Sequence, residues 1–455
     1  MTSRFDYTSA MAFIHERSGY DRGFISNPFA GDDAARLGLV RTERVLTALG
    51  RPDRGYPILH VAGSKGKGST STLLSSVHSA AGWRCGRFLS PHLHRFNERF
   101  AIDDLPISDE DFAACVDAVR SASLAVERNE PEIGRLTAWE LSTAIALLWF
   151  DRQQCDVVVL EVGMGGTLDA TNVVQPAASL ITRLDLEHTD ILGNTIAEVA
   201  ANKAGIIKPG APAYSVGQEP EALAVIQSRA AAVGSSLAVA GVDWQVSGDS
   251  EDFSWSGWDA SISHLSTGLE GLHQVENAGL AIAAIMDPAN TLAERLPISE
   301  ANLRSGLASA FIPGRFEIID LDGATVVLDG AHTPASARAL ADATITRFGD
   351  HHVTVIVAML ADKDPFGFLE PLVPVANSWI ISQPQSPRAL HTDLLLAALH
   401  HFDCEGQPAG SVAEGLTEAI NSAQNRDRPA LILVTGSIST VAEARTMLGL
   451  DRTSG

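Results

Sequence analysis

One short segment, residues 60–70, limits the folds open to this chain more than any other, and it reads His-Val-Ala-Gly-Ser-Lys-Gly-Lys-Gly-Ser-Thr. The apolar residues from Tyr56 to Ala62 predict a buried strand, and residues 71–77 predict the start of a helix. A strand, a glycine-rich turn and a helix in this order are typical of a phosphate-binding loop, whose backbone N–H groups close around phosphate oxygens. The segment therefore predicts an α/β protein with a phosphate site, and a flexible turn without a ligand is the alternative.

Eight consecutive residues, which we call the phosphate loop, are predicted to contact a nucleotide: Gly63, Ser64, Lys65, Gly66, Lys67, Gly68, Ser69 and Thr70. In such loops the lysine reaches the terminal phosphates and the serine hydroxyl binds Mg²⁺, roles that fall here to Lys67 and Ser69. The spacing differs from the common nucleotide-triphosphatase pattern, because Gly68 separates Lys67 from Ser69. By itself the loop predicts that ATP or GTP binds, and it does not indicate the reaction.

Composition and charge exclude several classes of partner. The formal net charge of −22 argues against a nucleic-acid surface, because phosphate backbones are bound by clustered Lys and Arg. The four cysteines are scattered without paired spacing, which fits reduced thiols and gives no metal-site signature. The N-terminus lacks an apolar signal core, and no apolar run is long enough to span a bilayer. We therefore expect a cytoplasmic protein with no membrane or nucleic-acid partner.

Two further predicted strands end in residues with oxygen side chains. Residues 84–89 form one strand and stop at Ser90, before a proline. Residues 156–160 form a strand buried on both faces, and Glu161 ends it within apolar sequence. Ligands of open α/β sheets bind at these carboxyl ends. Glu161 is therefore predicted to hold Mg²⁺ rather than to form a surface salt bridge, whereas Ser90 alone is more often a turn former than a metal ligand.

His188 and Lys203 are candidate site residues whose chemistry the sequence leaves open. His188 follows a predicted strand at 178–182, where it could bind a metal or act as an acid or base. Lys203 lies in an apolar helix, residues 197–207. A buried ammonium is costly unless it is paired or modified. The alternative is a lysine whose stem packs while its head reaches water.

Trp139 and Asp169 lie in segments that could border a substrate. Trp139 begins a predicted helix at 137–150, and core packing is favoured over a stacking surface. Asp169 belongs to a polar loop at 165–172, which could present it to a substrate or form a plain turn and helix cap.

The pattern of strands and helices predicts two domains. Residues 1–311 predict a phosphate-loop domain with a mostly parallel, doubly wound sheet, and residues 312–455 predict a smaller Rossmann-like α/β domain. The aromatic stretch 244–265 predicts a β-ribbon, with an aromatic surface loop as the alternative. Polar residues crowd the strand ends of the second domain, which is expected where such a domain faces a cleft.

Taken together, the motifs resemble the bifunctional folylpolyglutamate synthase/dihydrofolate synthase family, within the muramyl-type ATP-dependent amide ligases. The resemblance runs from about Tyr56 to Ala444 and rests on several ordered motifs. They are His-Val-Ala-Gly-Ser-Lys-Gly-Lys-Gly-Ser at 60–69, Ser-Pro-His-Leu at 90–93 with Arg-Phe-Asn-Glu-Arg at 95–99, Leu-Glu-Val-Gly-Met-Gly-Gly at 160–166, Leu-Asp-Ala-Thr-Asn at 168–172, Glu-His-Thr-Asp at 187–190, Lys-Ala-Gly-Ile-Ile-Lys-Pro-Gly at 203–210, Pro-Gly-Arg at 313–315, Asp-Gly-Ala-His at 329–332 and Thr-Gly-Ser at 435–437.

The resemblance implies an ATP-dependent acid–amino-acid ligase that adds L-glutamate to dihydropteroate, to folates as polyglutamylation, or to both, through an acyl phosphate. It implies small-molecule substrates and a monomer. Two alternatives stay open: a relative that acts on a different carboxylate, and a phosphate-loop module without ligase chemistry. Asp329, His332 and Ser437 argue against a simple nucleotide switch, which would need no such cluster.

The resemblance also implies roles for individual residues. Ser69, Ser90 and Glu161 would bind the Mg²⁺ of ATP, His188 would bind a second Mg²⁺, and Lys203 matches a carbamylated lysine that would act as an anionic metal ligand. Asn277, Arg315 and Asp329 would hold ATP from across a cleft. Trp139, Asp169 and Ala170 would border the pterin, and His332 and Ser437 would lie near the glutamate. The catalytic residues implied are Lys67, Glu161, His188, Lys203 and His332.

Overall fold

The structure is a computed structural model that describes residues 5–18, 32–187, 189–423 and 428–451. The chain divides into two compact units, each an α/β unit with its own sheet. The first comprises Met1–Gly268 and Gln274–Ala310, and the second comprises Leu269–His273 and Phe311–Gly455. No helix among the described residues has the length and apolar character needed to cross a membrane.

Among its described residues, the first unit contains eleven strands and eleven α-helices. The strands are β1 (Ile58–Ala62), β2 (Cys85–Phe88), β3 (Phe100–Ile102), β4 (Leu105–Pro106), β5 (Val157–Glu161), β6 (Ala178–Ile181), β7 (Ala213–Ser215), β8 (Leu237–Val239), β9 (Trp244–Gly248), β10 (Phe253–Gly257) and β11 (Ala260–Leu265). The helices are α1 (Tyr7–Glu16), α2 (Asp32–Ala48), α3 (Lys67–Ala80), α4 (Asp109–Asn129), α5 (Ala138–Arg152), α6 (Thr189–Leu192), α7 (Ile196–Lys203), α8 (Pro220–Val233), α9 (Leu272–Met286, which begins in residues grouped with the second unit), α10 (Leu292–Arg295) and α11 (Glu300–Ser309).

The main sheet of the first unit has eight strands in the order β4-β3-β2-β5-β1-β6-β7-β8. The six strands from β2 to β8 are parallel, which confirms the predicted mostly parallel sheet. Every residue of β1 and β5 is buried, as expected for parallel strands covered on both faces. Because these strands are parallel, their carboxyl ends lie at one edge, and the candidate residues that follow them are brought together there.

An antiparallel hairpin, β3–β4, extends this sheet and was not predicted. Its turn is Asp103-Asp104, where both residues have left-handed φ angles, 50° and 65°. Two consecutive residues with positive φ are typical of the tight turns that join hairpin strands. The strands have three and two residues, too short for an alternating pattern to be visible in the sequence.

The aromatic stretch forms a three-stranded antiparallel sheet in the order β11-β10-β9, so the β-ribbon is confirmed and the surface-loop alternative is wrong. Alternate residues of β10, including Phe253 and Trp255, are buried. The Trp255 indole donates a hydrogen bond to the carbonyl oxygen of Gly279 in α9, with an N–O distance of 3.2 Å. The ribbon therefore packs on α9 and helps to hold that helix in place.

The second unit has a six-stranded sheet in the order β12-β13-β17-β14-β15-β16, parallel except for β12. Its elements are β12 (Glu317–Leu321), β13 (Ala324–Leu328), α12 (Pro334–Phe348), β14 (His352–Val357), α13 (Pro365–Leu369), β15 (Ser378–Ile381), α14 (Thr392–His401), β16 (Gly406–Pro408), α15 (Val412–Ala423), β17 (Ala430–Thr435) and α16 (Ile438–Met447). This confirms the smaller Rossmann-like α/β fold, with Asp329 and Ser437 beyond the carboxyl ends of β13 and β17.

Candidate active site

The phosphate loop is fixed by the chain that follows β6. The backbone N–H groups of Ser64 and Lys65 both donate to the carbonyl oxygen of Arg183, at 2.9 and 3.1 Å. A Cβ atom on Gly63 would come within 1.7 Å of the Thr182 hydroxyl oxygen, so only glycine fits there. Neither Thr182 nor Arg183 was singled out in the sequence, because their contact with the loop arises from the pairing of β1 with β6.

Helix α3 begins inside the loop, at Lys67, four residues earlier than predicted. Gly66 precedes it with a left-handed φ of 86°, a conformation that glycine adopts at little cost. The Lys67 ammonium donates to the Gly63 carbonyl oxygen at 2.9 Å, which folds the side chain back over the loop. The loop thus combines a cationic side chain with the N-terminus of a 14-residue helix, and both attract phosphate.

Asn277 lies against this loop and belongs to the first unit, with the phosphate loop itself. Its side-chain oxygen is 3.5 Å from the Thr70 hydroxyl, and its amide nitrogen donates to Gln274 at 2.9 Å. The expectation that Asn277 acts from across a cleft, together with Arg315 and Asp329, therefore needs correction. The contact arises because the Asn277 side chain of α9 reaches Gly66 and Thr70 at the start of α3.

We expect Gly66→Ala to weaken nucleotide binding by about tenfold or more, because the added Cβ would lie 2.3 Å from the Asn277 side-chain oxygen and would also strain a left-handed backbone. Calorimetric titration with ADP measures the effect. Gly82→Ala is the matched control, because Gly82 has nearly the same φ, 85°, and open space around its Cβ position. If the collision with the Asn277 side chain causes the loss, the double variant Gly66→Ala/Asn277→Ala recovers part of the affinity for ADP. Equal affinities of Gly66→Ala and the wild-type protein for ADP would contradict this geometry.

Glu161 places a buried carboxylate beside the loop. One carboxylate oxygen, Oε2, accepts the backbone N–H of Ser90 at 2.9 Å, since β2 and β5 are neighbours and end together. The other oxygen, Oε1, lies 3.8 Å from the Cβ position of Gly68. Ser69, next to Gly68, is also buried. A carboxylate and hydroxyl oxygens at this edge are hard ligands of the kind that Mg²⁺ prefers, so the residues present fit that ion.

No group of three or more His, Cys, Asp or Glu side chains is arranged to hold a metal among the described residues. A metal bound at this edge would therefore depend on serine oxygens, Glu161 and the ligand itself. His188, predicted to bind a second metal, lies outside the described residues. Its role, like the metal roles of Ser69 and Ser90, stays a prediction.

Lys203 is buried and points at the same loop, which excludes the alternative of a lysine whose head reaches water. Its ammonium donates to the Gly63 carbonyl oxygen and to Glu187 Oε1, each at 2.8 Å. Burial, together with the nearby charge of Lys67, lowers the pKa of Lys203 to about 8. Burial alone would raise the pKa of Glu187, but Lys203 and Lys67 outweigh it and hold that pKa below its usual range. The pair is therefore an ion pair at neutral pH.

Glu187 is a site residue that the sequence reasoning missed, although it opens the motif at 187–190. Three lysines act on its carboxylate: Lys203, Lys67 and Lys65. The three ammonium groups bring positive charge to the phosphate loop, which suits a polyphosphate. In the sequence this arrangement is invisible, because the three lysines come from the phosphate loop and from a helix more than 130 residues away.

The glycines at 165–166 allow the position of Lys203. A Cβ on Gly166 would lie 2.9 Å from the Cα of Lys203, so the loop can approach the end of α7 only with glycine there. Thr167 then caps that helix, since its backbone N–H and its hydroxyl both donate to the Asn202 carbonyl oxygen, at 2.8 and 2.9 Å. The loop after β5 therefore sets the orientation of the lysine.

Trp139 and Asp169, both predicted to border a substrate, contact each other. Trp139 is half-buried and stacks on Phe88 with ring centroids 5.3 Å apart. Asp169 is buried; its Oδ2 accepts the Trp139 indole N–H at 3.1 Å and the backbone N–H of Met164 at 3.0 Å. Its Oδ1 accepts the backbone N–H and the hydroxyl of Thr171, at 2.9 and 2.5 Å. The carboxylate thus positions Trp139 and caps the 3₁₀ turn that begins at Ala170.

Asp169→Asn is expected to lower the free energy of unfolding by about 2–4 kcal/mol, because either amide orientation turns an NH₂ group toward two buried donors. Denaturant titration measures the change. Asp320→Asn is a suitable control, since Asp320 accepts one hydrogen bond, from Thr325, at an exposed position. A double-mutant cycle with Trp139→Phe isolates the indole contact. A change below about 0.5 kcal/mol for Asp169→Asn would contradict the network of four donors around this carboxylate.

In the second unit, Asp329 is buried and accepts the backbone N–H groups of Phe316 and Ala331, both at 2.8 Å. Burial raises the pKa of Asp329, and the nearby Arg315 guanidinium opposes this. The Arg315 side chain lies over Gly330, because a Cβ atom on Gly330 would be 2.3 Å from Nη1 of Arg315. Arg315 and Asp329 are therefore together at the end of β13, as the motif order implies.

His332 and Ser437 have defined local roles in the second unit. The His332 Nδ1–H donates to the Gly330 carbonyl oxygen at 2.8 Å. Ser437 caps α16, because its hydroxyl accepts the backbone N–H of Thr440 at 3.0 Å. The predicted contacts of both residues with glutamate stay predictions.

Models of two protein domains match the chain. The middle domain of Mur ligases matches residues 132–285, and the glutamate ligase domain of Mur ligases matches residues 314–438. The matches fall on the first and the second unit respectively. Together with the phosphate-loop geometry, they define the chain as an ATP-dependent acid–amino-acid ligase.

Curated relatives and solved structures are similar over almost the whole chain. The dihydrofolate synthase/folylpolyglutamate synthase of Bacillus subtilis is 35% identical, covering 97% of this chain and 99% of the relative. The folylpolyglutamate synthase of Lacticaseibacillus casei is 35% identical over 98% and 99%. The structure of Escherichia coli FolC with DHPP and ADP superposes with a TM-score of 0.82 at 31% identity, covering 98% and 99%. The chain belongs to the dihydrofolate synthase/folylpolyglutamate synthase family.

Proposed function

We propose that this chain uses ATP to join L-glutamate to the carboxylate of dihydropteroate, of a reduced folate, or of both. The observation that carries this proposal is the convergence of Lys67, Glu161 and Lys203 on one phosphate loop, in a chain of this family. Two steps are required. The terminal phosphoryl group of ATP moves to a carboxylate oxygen of the acid, and ADP leaves. The glutamate amine then attacks the acyl carbon, the bond to phosphate breaks, and the amine loses a proton.

The phosphate loop is the site that we assign to the triphosphate of ATP. The N-terminus of α3 and the ammonium of Lys67 supply positive charge where the transferred phosphoryl group gathers negative charge. Gly63 and Gly66 let the loop backbone pass close to Thr182 and Asn277, which fixes the shape of the loop. Lys65, which shares the loop, adds a further cation in the same region.

Mg²⁺ is part of the proposal, with Ser69, Ser90 and Glu161 as the residues that would hold it. When bound, the ion would neutralise charge on the phosphates and polarise the transferred group. Support comes from the oxygen ligands at this edge of the sheet, where the buried Glu161 carboxylate lies beside Gly68 of the phosphate loop. A second Mg²⁺ with His188 and a modified Lys203 as ligands belongs to the same proposal.

Carbamylation of Lys203 has physical support in its pKa of about 8, because carbon dioxide reacts with a neutral amine. The unmodified ammonium pairs with Glu187, whereas a carbamate would carry negative charge and repel that carboxylate. The charge of Glu187 is therefore neutralised by Lys203 when that lysine is unmodified, and by another cation when it is carbamylated. In the carbamylated state, Lys65, Lys67 or a metal would take over that role.

The second unit is assigned the remaining substrate contacts. Arg315 and Asp329 would hold ATP, while His332 and Ser437 would lie near the glutamate amine and carboxylates. Trp139, Asp169 and Ala170 of the first unit would border the pterin, with Asp169 acting by holding the Trp139 ring. A cytoplasmic location and a monomeric state are further predictions from the resemblance to this family.

Phosphate release from ATP tests this function. It is measured with dihydropteroate and with tetrahydrofolate, each with and without L-glutamate. Release that requires an acceptor and glutamate supports the ligase, and mass spectrometry then shows one added glutamate. Turnover with dihydropteroate alone restricts the activity to the synthase reaction. If the rate of phosphate release is the same with and without either acceptor, the folate function is rejected.

A further inference from the structure

A cavity of the first unit lies away from the phosphate loop. It has a volume of about 250 Å³ and is enclosed by the C-terminal ends of α3 and α9 and by residues 290–298. We call it the α3–α9 pocket. Leu59, in the first half of β1, forms part of its wall, whereas the phosphate loop follows the other end of that strand. Its described lining contains no Asp, Glu, Lys or Arg.

His78 supplies the distinctive chemistry of the pocket. Its side chain lines the cavity and the residue is only 2% exposed. The Nδ1–H donates to the Leu74 carbonyl oxygen at 2.7 Å, one turn back along α3. Burial lowers the pKa of His78, so the ring is neutral at pH 7 and its lone pair is on Nε2. Among the described residues no donor meets this nitrogen.

Asn290, the other polar side chain of the lining, is already satisfied. Its amide nitrogen donates to the Ala284 carbonyl oxygen at 2.7 Å, and its oxygen accepts the backbone N–H of Leu292 at 3.1 Å. Among the described side chains of the lining, His78 Nε2 is therefore the one acceptor to which no protein donor is bonded. A ligand group that donates to this nitrogen gains the net free energy of one hydrogen bond over water in the same place.

We propose that the α3–α9 pocket is a binding site for a neutral aromatic molecule of one or two rings that carries a single N–H or O–H donor, which bonds to His78 Nε2. The size follows from the volume, since cavities of about 150 Å³ hold benzene and this one is larger. Neutrality follows from the uncharged lining, because a charged ligand would lose its hydration without a partner.

The pocket shares both of its helices with the phosphate loop. Helix α3 runs from Lys67 to the His78 end, and its residues from Ser69 to His78 are all buried. Helix α9 runs from Leu272 through Asn277, beside the phosphate loop, to Met286, at the pocket. Close packing holds α3 along this length; for example, a Cβ on Gly306 of α11 would lie 2.4 Å from the Val77 Cα. We extend the proposal to coupling between the two sites: because α3 joins them, a ligand that displaced its C-terminal end would also displace its N-terminal end and change nucleotide affinity there.

Indole and benzofuran form a matched pair of probes, because they share a shape and only indole has a donor. We expect indole to bind about fivefold or more tightly than benzofuran by calorimetry, the value of one hydrogen bond. In protein with ¹⁵N-labelled histidine, indole shifts one Nε2 resonance, and His78→Phe removes both that resonance and the preference for indole. Ala293 lies at an exposed position of the lining. We expect Ala293→Trp to weaken the binding of both probes, because the larger side chain blocks the entrance to the pocket.

Failure of indole to bind up to its solubility limit overturns the proposal, as does binding that neither His78→Phe nor Ala293→Trp alters. The first result indicates that water alone satisfies Nε2. The coupling is tested separately with ADP, and this arm rests on the proposed function. Indole is expected to change the Kd of ADP by about fivefold, with ADP changing the Kd of indole by the same factor. Unchanged values overturn the coupling and leave the binding site intact.

Discussion

Lys67→Ala is expected to abolish detectable ligase turnover, a loss of at least about 10²–10³-fold in kcat, while the protein stays folded. Lys67 begins α3, and its ammonium lies over the loop that we assign to the triphosphate. Without nucleotide it makes one partly buried hydrogen bond, to Gly63, so its removal costs only about 1 kcal/mol of stability. The large effect falls on the transferred phosphoryl group, whose charge the remaining loop cannot balance.

The measurement is glutamate-dependent phosphate release at saturating ATP, with the melting temperature as a check on folding. Lys363→Ala is the matched control, because Lys363 forms an ion pair with Asp362 at 2.9 Å in the second unit. It removes the same charge at a position outside the proposed site. An unimpaired Lys67→Ala enzyme would refute the assignment of this loop to the triphosphate.

Lys203→Ala is expected to reduce turnover strongly, by about 10²-fold or more, with partial recovery on addition of formate or acetate. The substitution removes both the buried ammonium and any carbamate formed from it. It also leaves Glu187 without its closest cation, so the protein is destabilised, by up to about 3–5 kcal/mol if no other lysine takes over. A short carboxylic acid restores an anionic oxygen ligand in the space vacated by the side chain, and activity returns in part.

The modification itself has a readout that is independent of activity. With ¹³C-labelled bicarbonate, the wild-type protein is expected to show a carbamate resonance that Lys203→Ala lacks. Because the pKa of Lys203 is about 8, about a tenth of the amine is neutral at pH 7 and about half at pH 8. Carbamate formation at constant dissolved CO₂ should therefore rise through this range. A wild-type rate for Lys203→Ala would remove Lys203 from the metal site.

The strands and helices of the phosphate-loop region were predictable because their signals are local. The buried strand before Gly63 and the all-apolar run before Glu161 both appear as strands, β1 and β5. The start of α3 was placed four residues late, because a left-handed glycine at position 66 begins the helix inside the loop. The hairpin β3–β4 was missed because its strands are shorter than any periodic pattern.

Contacts among candidate residues were less predictable, because they depend on which strands become neighbours. Asn277 was expected to act from across a cleft, but α9 places it against the phosphate loop within one unit. Asp169 was predicted either to border a substrate or to cap a turn; it caps the turn at Ala170, and its oxygens accept four hydrogen bonds from the chain around Trp139. In both cases the residue was identified and its partners were not.

The sequence by itself determined the α/β class, the phosphate loop and the order of motifs that indicates the family. These depend on residues close together in the chain, whose spacing directly reflects backbone geometry. Only the tertiary structure decided that Lys203 reaches Gly63 and pairs with Glu187, and that His78 faces a separate pocket. The physical reason is that charge pairing and burial depend on distances through space, which the parallel order of β5, β1 and β6 sets at one edge of the sheet.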